Sequence, residues 1–474
     1  MTLSRRQRIG AWGLVVSTDD LAPGIGQETN QTAEDLQGEF YAAYRSGAPE
    51  ALSLGERLLE HYPELRSIWS KVVHLRLGGG EPGRALELAE AGLQRFAEDS
   101  ELLRLCASAA EHLNGETAAL PWLERWAATG KDGGFGHYRL GDYYMNLGEG
   151  RRAVHHFMQA KDAGCPSPQL ASRYFHSALL ARDPLLARNL LPLLSSEETI
   201  EAEREIRALE TRGGELEKAR RAGRLRSLSS VQLKAWAKSR GLQPGRHGKS
   251  DLFMTEHGDL LAERMPGSRA AVLVFGGLKE MMGASLPKFD KTLRAHGVST
   301  LYLTDPRRML MLAGIPSFGS HDETIAGLGA LLEAWGVDRI YCMGLSAGGY
   351  GAILYGLDLG ARRILTMAAP TTLTGPVIEA DGRGRIIVSR IQSEVSGELD
   401  LRKRLETASR PPPIINYYGL DSPPDVRHAL HLEGLPNVSL RAVDGVVGHD
   451  VLGALRARGQ APAVLAEFLA DAGC

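Results

Sequence analysis

The first half of the chain carries apolar and polar positions at helical spacing, and one small residue returns at a fixed interval. Alanine stands at Ala51, Ala85, Ala119, Ala153 and Ala187, each 34 residues after the one before. A fixed period of this length indicates stacked structural repeats. Small residues allow two helices of one unit to approach closely, and larger apolar residues fill the groove between neighbouring units. The pattern therefore predicts five antiparallel helix pairs.

One copy of the repeat is more complete than the others. It contains Tyr138-Arg139-Leu140-Gly141-Asp142-Tyr143-Tyr144, followed by Ala153, Phe157, Ala160 and Pro166. This order of residues resembles the tetratricopeptide (TPR) repeat. The resemblance implies a TPR-like α-solenoid that binds a protein or a polymeric partner. We expect it to span residues 32–225, with a solvated helix pair over 198–226 as its cap, after an N-terminal arm of residues 1–31.

The second half of the chain has a different pattern, in which short apolar runs alternate with helical stretches. The runs are Ala270–Phe275, Ser299–Leu303, Arg339–Met343, Arg363–Met367, Pro413–Tyr418 and Val438–Val443. Such alternation predicts a mostly parallel sheet with helical crossovers. The predicted fold class is thus an α-solenoid followed by an α/β domain over residues 250–474. Residues 226–249 are the expected linker, and residues 371–409 a helical insertion above the carboxyl edge of the sheet.

Composition narrows the classes of partner and cofactor. The 474 residues carry a formal net charge of −2, which argues against wholesale binding to nucleic acid or to an anionic membrane. The four cysteines are widely spaced and lack a CxxC pair, so we expect no disulfide framework, no metal and no cofactor. The longest apolar runs are strand-sized, which predicts no transmembrane segment and, by default, a cytoplasmic protein.

The clearest chemical motif lies directly after a predicted strand. Gly344-Leu345-Ser346-Ala347-Gly348 fits the G-x-S-x-G pattern and directly precedes a predicted helix. In this setting a serine sits on a sharp strand-to-helix turn, where its hydroxyl is exposed as a nucleophile. Glycines are needed on both sides because a Cβ would clash at such a turn. Ser346 is therefore the candidate nucleophile.

A nucleophilic serine needs a histidine base and an acid that orients it, and in this setting they follow in the order serine, acid, histidine. His449 follows the last predicted strand and is the candidate base. Two acids follow the preceding strand. Asp421 is favoured because it stands where that strand ends, whereas Asp425 has an alternative role as the N-cap of a helix that begins at Val426.

Negative charge on the reacting oxygen requires backbone N–H donors. The first expected donor is the N–H group of Ala347, next to the nucleophile. The second is expected from the turn Val274-Phe275-Gly276-Gly277-Leu278, where paired glycines allow a close approach of the backbone. Gly277 and Leu278 are the two candidates for this second donor.

Taken together, Phe275-Gly276-Gly277, the Ser346 motif, Asp421 or Asp425, and His449 resemble the α/β-hydrolase superfamily. The resemblance implies a serine esterase or thioesterase that forms an acyl-enzyme on a small-molecule or glycan-linked ester. Phe275 replaces the histidine of the HGGG motif of lipases, which weakens the comparison with lipases. Two alternatives remain open: an acyltransferase on a glycan or other acceptor, and an inactive TPR/hydrolase-like scaffold.

Overall fold

A computed structural model of the chain describes residues 32–221, 225–233, 252–278 and 286–472. The expected N-terminal arm and most of the expected linker lie outside these residues. Contacts divide the chain into two compact units, the first ending at Asp132 and the second beginning at Gly133. Within the described residues, no helix combines the length and the apolar character that crossing a membrane requires.

The helical part of the chain consists of the TPR-like helix pairs that the 34-residue period predicts. In the first unit the helices are α1 (Ala33–Ser46), α2 (Ala51–His61), α3 (Arg66–Gly78), α4 (Pro82–Arg95), α5 (Ser100–Asn114) and α6 (Glu116–Thr129). The second unit begins with α7 (Phe135–Asn146), α8 (Gly150–Asp162), α9 (Leu170–Leu180) and α10 (Pro184–Leu190). A short 3₁₀ turn, Leu191–Leu193, follows.

The recurring alanines lie on the second helix of each pair and are buried in all five copies. Other small residues also allow close helix contacts. A Cβ on Gly141 of α7 would lie 2.7 Å from the ring of Phe157 on α8. Close packing therefore explains why small residues recur, since a larger side chain at these positions would push the two helices apart.

The segment after the helix pairs differs from the prediction. A solvated helix pair was expected over 198–226, but α11 (Ser196–Arg221) is one continuous helix. Gly213 and Gly214 lie inside it, in open space. Glycine in a helix interior costs only about 1 kcal/mol relative to alanine, and here that cost does not break the helix.

The second unit also contains a mixed sheet. Its strands are β1 (Leu225–Leu228), β2 (Leu252–Thr255), β3 (Leu260–Glu263), β4 (Ala270–Phe275), β5 (Ser299–Leu303), β6 (Arg339–Leu345), β7 (Arg363–Met367), β8 (Ile414–Gly419) and β9 (Val438–Val443). They are arranged in the order β1-β2-β3-β5-β4-β6-β7-β8-β9. Strand β3 is antiparallel to both neighbours, and all other neighbours are parallel.

All six strands that the apolar runs predict are present. Strand β4 shows why these runs are continuous, since its residues alternate between two buried clusters. Leu273 and Phe275 belong to one cluster, and Val272 and Val274 belong to the other. A strand that is covered on both faces has no solvent-facing positions, so apolar residues follow one another without a break.

Helices cover the sheet and link its strands. They are α12 (Leu286–Arg294), α13 (His321–Ala334), α14 (Ala347–Asp358), α15 (Gly375–Asp381), α16 (Arg385–Glu394), α17 (Leu401–Thr407), α18 (Pro423–His431), α19 (Val451–Ala457) and α20 (Ala461–Phe468). Three of them, α15 to α17, occupy the segment between β7 and β8. We call this segment, residues 371–409, the insertion.

Candidate active site

The candidate nucleophile lies at the junction of β6 and α14. Ser346 has φ 53°, in the left-handed region that side chains other than glycine rarely adopt. Its backbone N–H donates to the carbonyl oxygen of Met367 at 2.9 Å, which ties the turn to the end of β7. Strained backbone of this kind persists only where the surrounding structure enforces it, and it is concentrated at functional sites.

The glycines around Ser346 are required by close backbone contacts. A Cβ on Gly344 would overlap the carbonyl group of Gly348, and a Cβ on Gly348 would overlap the carbonyl oxygen of Phe275. A Cβ on Gly349 would lie 2.5 Å from the methyl group of Ala369. The first turn of α14 thus packs against the ends of β4 and β7 at distances that no other residue permits.

The candidate oxyanion donors lie beside this turn. The position that a Cβ of Gly277 would occupy is 3.6 Å from Cβ of Ser346. The N–H of Gly276 is already bound to the carbonyl of Leu303 at 2.9 Å, which leaves Gly277 and Leu278 as the candidates among the described residues of this loop. Ala347 is the first residue of α14, and N–H groups in the first turn of a helix have no partner within the helix.

His449 pairs with Asp425. Its Nδ1 atom lies 3.1 Å from Oδ1 and 3.3 Å from Oδ2 of this carboxylate. The Asp425 side chain is fully buried, while that of His449 is 38% exposed. His449 therefore combines an accessible ring with a buried acid that fixes its orientation, as a general base requires. The next residue, Asp450, caps α19 by accepting from the N–H of Gly453 at 2.8 Å.

The other candidate acid has a different partner. Oδ2 of Asp421 accepts from the N–H of Gly445 at 2.6 Å and so braces the turn after β9. The predicted start of the following helix was wrong as well, because α18 begins at Pro423 and its N-cap is Ser422. Asp425 consequently lies inside the first turn, where its side chain is available to His449. The geometry corrects the preference for Asp421 in favour of Asp425.

Sequence reasoning missed a cation at this site. Nη1 of Arg383, in the turn between α15 and α16, lies 2.9 Å from Oδ1 of Asp425 and 3.0 Å from Nδ1 of His449. The same guanidinium binds Asp381 through Nε at 2.6 Å and Nη2 at 2.8 Å. The available signal was a charged residue between two glycines, Gly382-Arg383-Gly384, which does not by itself reveal a partner.

The two carboxylates beside Arg383 are held in the ionised form. Burial raises the pKa of Asp425, but the hydrogen bond to His449 and the charge of Arg383 outweigh it, so its pKa falls below the ordinary value. Burial also raises the pKa of Asp381, and the hydrogen bonds from His428 and Arg383 bring its pKa well below the usual range. Both groups are thus carboxylates at neutral pH.

The strands explain why these residues share one edge of the sheet. Strands β4, β6, β7, β8 and β9 are parallel, so their carboxyl ends lie at one edge of the sheet. The Gly277 turn follows β4, Ser346 follows β6, Asp425 follows β8 and His449 follows β9. Open α/β sheets bind ligands at this edge. Among the described residues, no group of three or more His, Cys, Asp or Glu side chains is arranged to hold a metal ion.

Comparisons with known proteins add little. No family model matches the chain, and no curated protein matches it. Among solved structures, the similar chains include MamA (15% identity, 39% of this chain and 94% of that chain, TM-score 0.29). They also include TTC0263, a TPR protein of Thermus thermophilus (18%, 38% and 100%, 0.27), and the Pyrococcus furiosus esterase Pf2001 (17%, 47% and 89%, 0.32). These TM-scores are too low for a shared fold to be inferred.

Proposed function

We propose that the chain is a serine hydrolase that cleaves an ester or thioester, and that its sheet forms an α/β-hydrolase domain. The carrying observation is the buried Asp425 paired with His449, at the sheet edge where Ser346 occupies a strained strand-to-helix turn. The three residues follow in the chain order serine, acid, histidine, with each after its own strand, as this type of enzyme requires.

The proposed reaction has two steps. Oγ of Ser346 attacks the acyl carbon while Nε2 of His449 takes the serine proton, and the negative charge on the acyl oxygen is bound by the N–H of Ala347 and a second N–H. The proton then passes from Nε2 to the departing alcohol or thiol, which leaves an acyl group on Ser346. Water repeats the sequence and releases a carboxylic acid and free serine.

Each supporting residue has a part in this scheme. Asp425 accepts from Nδ1–H of His449, which keeps Nε2 free to take a proton and stabilises the imidazolium that forms. The second N–H comes from Gly277 or Leu278, since the N–H of Gly276 is bound to Leu303. We assign the helix pairs over residues 32–225 the role of a TPR-like surface for a protein or polymeric partner.

An activity-based probe tests the proposal. A fluorophosphonate should label the purified chain once, p-nitrophenyl acetate should be hydrolysed, and Ser346→Ala should abolish both. Ser439→Ala is the matched control, because Ser439 is an exposed serine on β9 away from the carboxyl edge. A folded wild-type protein that reacts with neither reagent contradicts the proposal, as does labelling that survives in Ser346→Ala.

A further inference from the structure

Arg383 connects two buried carboxylates at the candidate active site. Its guanidinium donates to Asp381 through Nε and Nη2 and to Asp425 through Nη1. Both carboxylates are almost completely buried, whereas the Arg383 side chain is 41% exposed. A buried carboxylate is costly unless it is paired and hydrogen-bonded. Arg383 is thus the cation that offsets the burial of the acid beside His449.

The imidazole of His428 lies beside the cluster formed by Asp381, Arg383 and Asp425, and its protonation decides the net charge of that cluster. The backbone N–H of Thr371 points at Nδ1 of His428 at 3.1 Å, so Nδ1 accepts. The proton of a neutral imidazole must then be on Nε2, which lies 3.1 Å from Oδ2 of Asp381 and donates to it. Two carboxylates therefore share one guanidinium, and the cluster has a net charge of −1 while His449 is neutral.

The insertion is shaped to present Arg383. The glycines on either side, Gly382 and Gly384, have φ 72° and 59°, which turns the chain sharply between α15 and α16. The backbone N–H of Arg383 also donates to Asp381 at 3.1 Å. The guanidinium donates to Asp425, which lies 42 residues further along the chain, and so ties the insertion to the acid. Its Nη1 atom also lies 3.0 Å from Nδ1 of His449. This second contact is not a hydrogen bond in the proposed reaction, because a guanidinium only donates and Nδ1 carries the proton that Asp425 accepts.

We propose that Arg383 is a positioning residue that acts through Asp425, holding this carboxylate in place and directed at His449. This inference rests on the proposed function. The charged and titratable groups around Arg383 are Asp381 on α15, Asp425 and His428 on α18, and His449 after β9. Arg427 of α18 donates through Nη2 to the carbonyl oxygen of Ala380, the residue before Asp381, at 2.8 Å.

Removing the cation leaves the two buried carboxylates without a counter-charge. Burial then favours the neutral form of Asp425 more strongly, and a neutral acid no longer accepts from Nδ1–H of His449. Arg383→Gln is therefore expected to slow fluorophosphonate labelling. The ratio of the wild-type rate to the variant rate should grow as the pH is lowered, to roughly tenfold, the effect of about one pH unit.

Three further variants separate positioning from a structural role. Arg383→Lys should keep the ratio of the two rates close to one at each pH, and Asp381→Asn should raise it in the same way as Arg383→Gln by loosening the guanidinium. Arg385→Gln is the matched control, since Arg385 is an exposed arginine two residues away on the same segment. In an Asp425→Asn background, Arg383→Gln should slow labelling little further, because the partner through which it acts is already neutral.

A second readout does not depend on activity. The apparent unfolding temperatures of Arg383→Gln, Asp425→Asn and the double variant at pH 7 should be non-additive, because the two residues are in direct contact. An unlabelled wild type with this coupling contradicts the proposed function and leaves the Arg383–Asp425 coupling established. Additive unfolding shifts, or a folded Arg383→Gln protein that is labelled at the wild-type rate at every pH, overturn the role of Arg383.

Discussion

The Nδ1 atom of His449 lies 3.1 Å from Oδ1 of Asp425, a carboxylate 24 residues earlier in the chain that solvent does not reach. The exposed ring and the buried acid belong to different elements, the loop after β9 and the first turn of α18. Asp421 is bound to the N–H of Gly445 instead, so the carboxylate that contacts the histidine is Asp425.

The proposal that Asp425 acts with His449 is tested by replacing each of the two acids with asparagine. Asp425→Asn is expected to lower turnover of p-nitrophenyl acetate on the order of 10⁴-fold, since an asparagine favours the wrong tautomer of the histidine. Asp421→Asn should keep most of the turnover, because its carboxylate supports only a turn. Steady-state kinetics of the two variants measures both effects. A large loss in Asp421→Asn together with a small loss in Asp425→Asn would reverse the assignment.

The close contacts of the glycines around Ser346 lead to a prediction about stability and labelling. Gly344→Ala is expected to lower both the unfolding temperature and the rate of labelling, because the new methyl group overlaps the backbone of Gly348. Gly213→Ala is the matched control, as Gly213 lies in open space within α11. That change should be neutral or stabilise by about 0.5–1 kcal/mol. Thermal unfolding compares the two, and a Gly344→Ala protein with wild-type stability and labelling would refute the close contact.

Because the recurring alanines are buried between helices, we expect larger side chains at these positions to destabilise the helix pairs. Ala119→Leu on α6 should destabilise the first unit by about 1–3 kcal/mol, because Ala119 is 1% exposed and its site has no room for three more carbons. Ala128→Leu, at an exposed position on the same helix, should change stability little. Denaturant unfolding followed by helix circular dichroism checks the difference, and equal effects at the two positions would contradict the packing account.

The environment of His156 on α8 leads us to expect that the folded state becomes less stable in mild acid. Burial lowers the pKa of His156 to about 4, and the charges of His137, His155 and Arg152 act in the same direction. The unfolded state therefore binds the proton first, so stability falls as the pH drops from about 6.5 to 4. His156→Gln should flatten this fall in the unfolding temperature. An equally steep pH dependence in the variant would show that other groups cause it.

Much of the fold follows from periodicity alone. The 34-residue spacing of Ala51 to Ala187 predicts the five helix pairs, and the apolar run Ala270–Phe275 matches β4 to the residue. The three strands β1 to β3 had no such signal. Each has four residues, and β1 and β2 include partly or fully exposed positions, so their pattern is too short to distinguish from a loop. Strand β1 also occupies the start of the expected linker.

Site residues that belong to a local sequence motif could be predicted. Residues whose role depends on contacts between distant segments were harder to predict. Ser346 and His449 are indicated by a strand, a turn and a helix in sequence. The choice of Asp425 depended on α18 beginning at Pro423, three residues before the predicted start. Arg383 could not be found at all from local pattern, because its partner Asp425 is 42 residues away, on α18.

The central claim is that Ser346 is a nucleophile activated by His449 and Asp425. Its most direct measurement is the site of fluorophosphonate attachment, found by digestion of the labelled chain and mass spectrometry of its peptides. The account predicts one adduct, on the peptide that contains Ser346, with its formation slowed strongly in His449→Ala. An adduct on another residue, or a folded wild-type chain that gains no adduct, would contradict it.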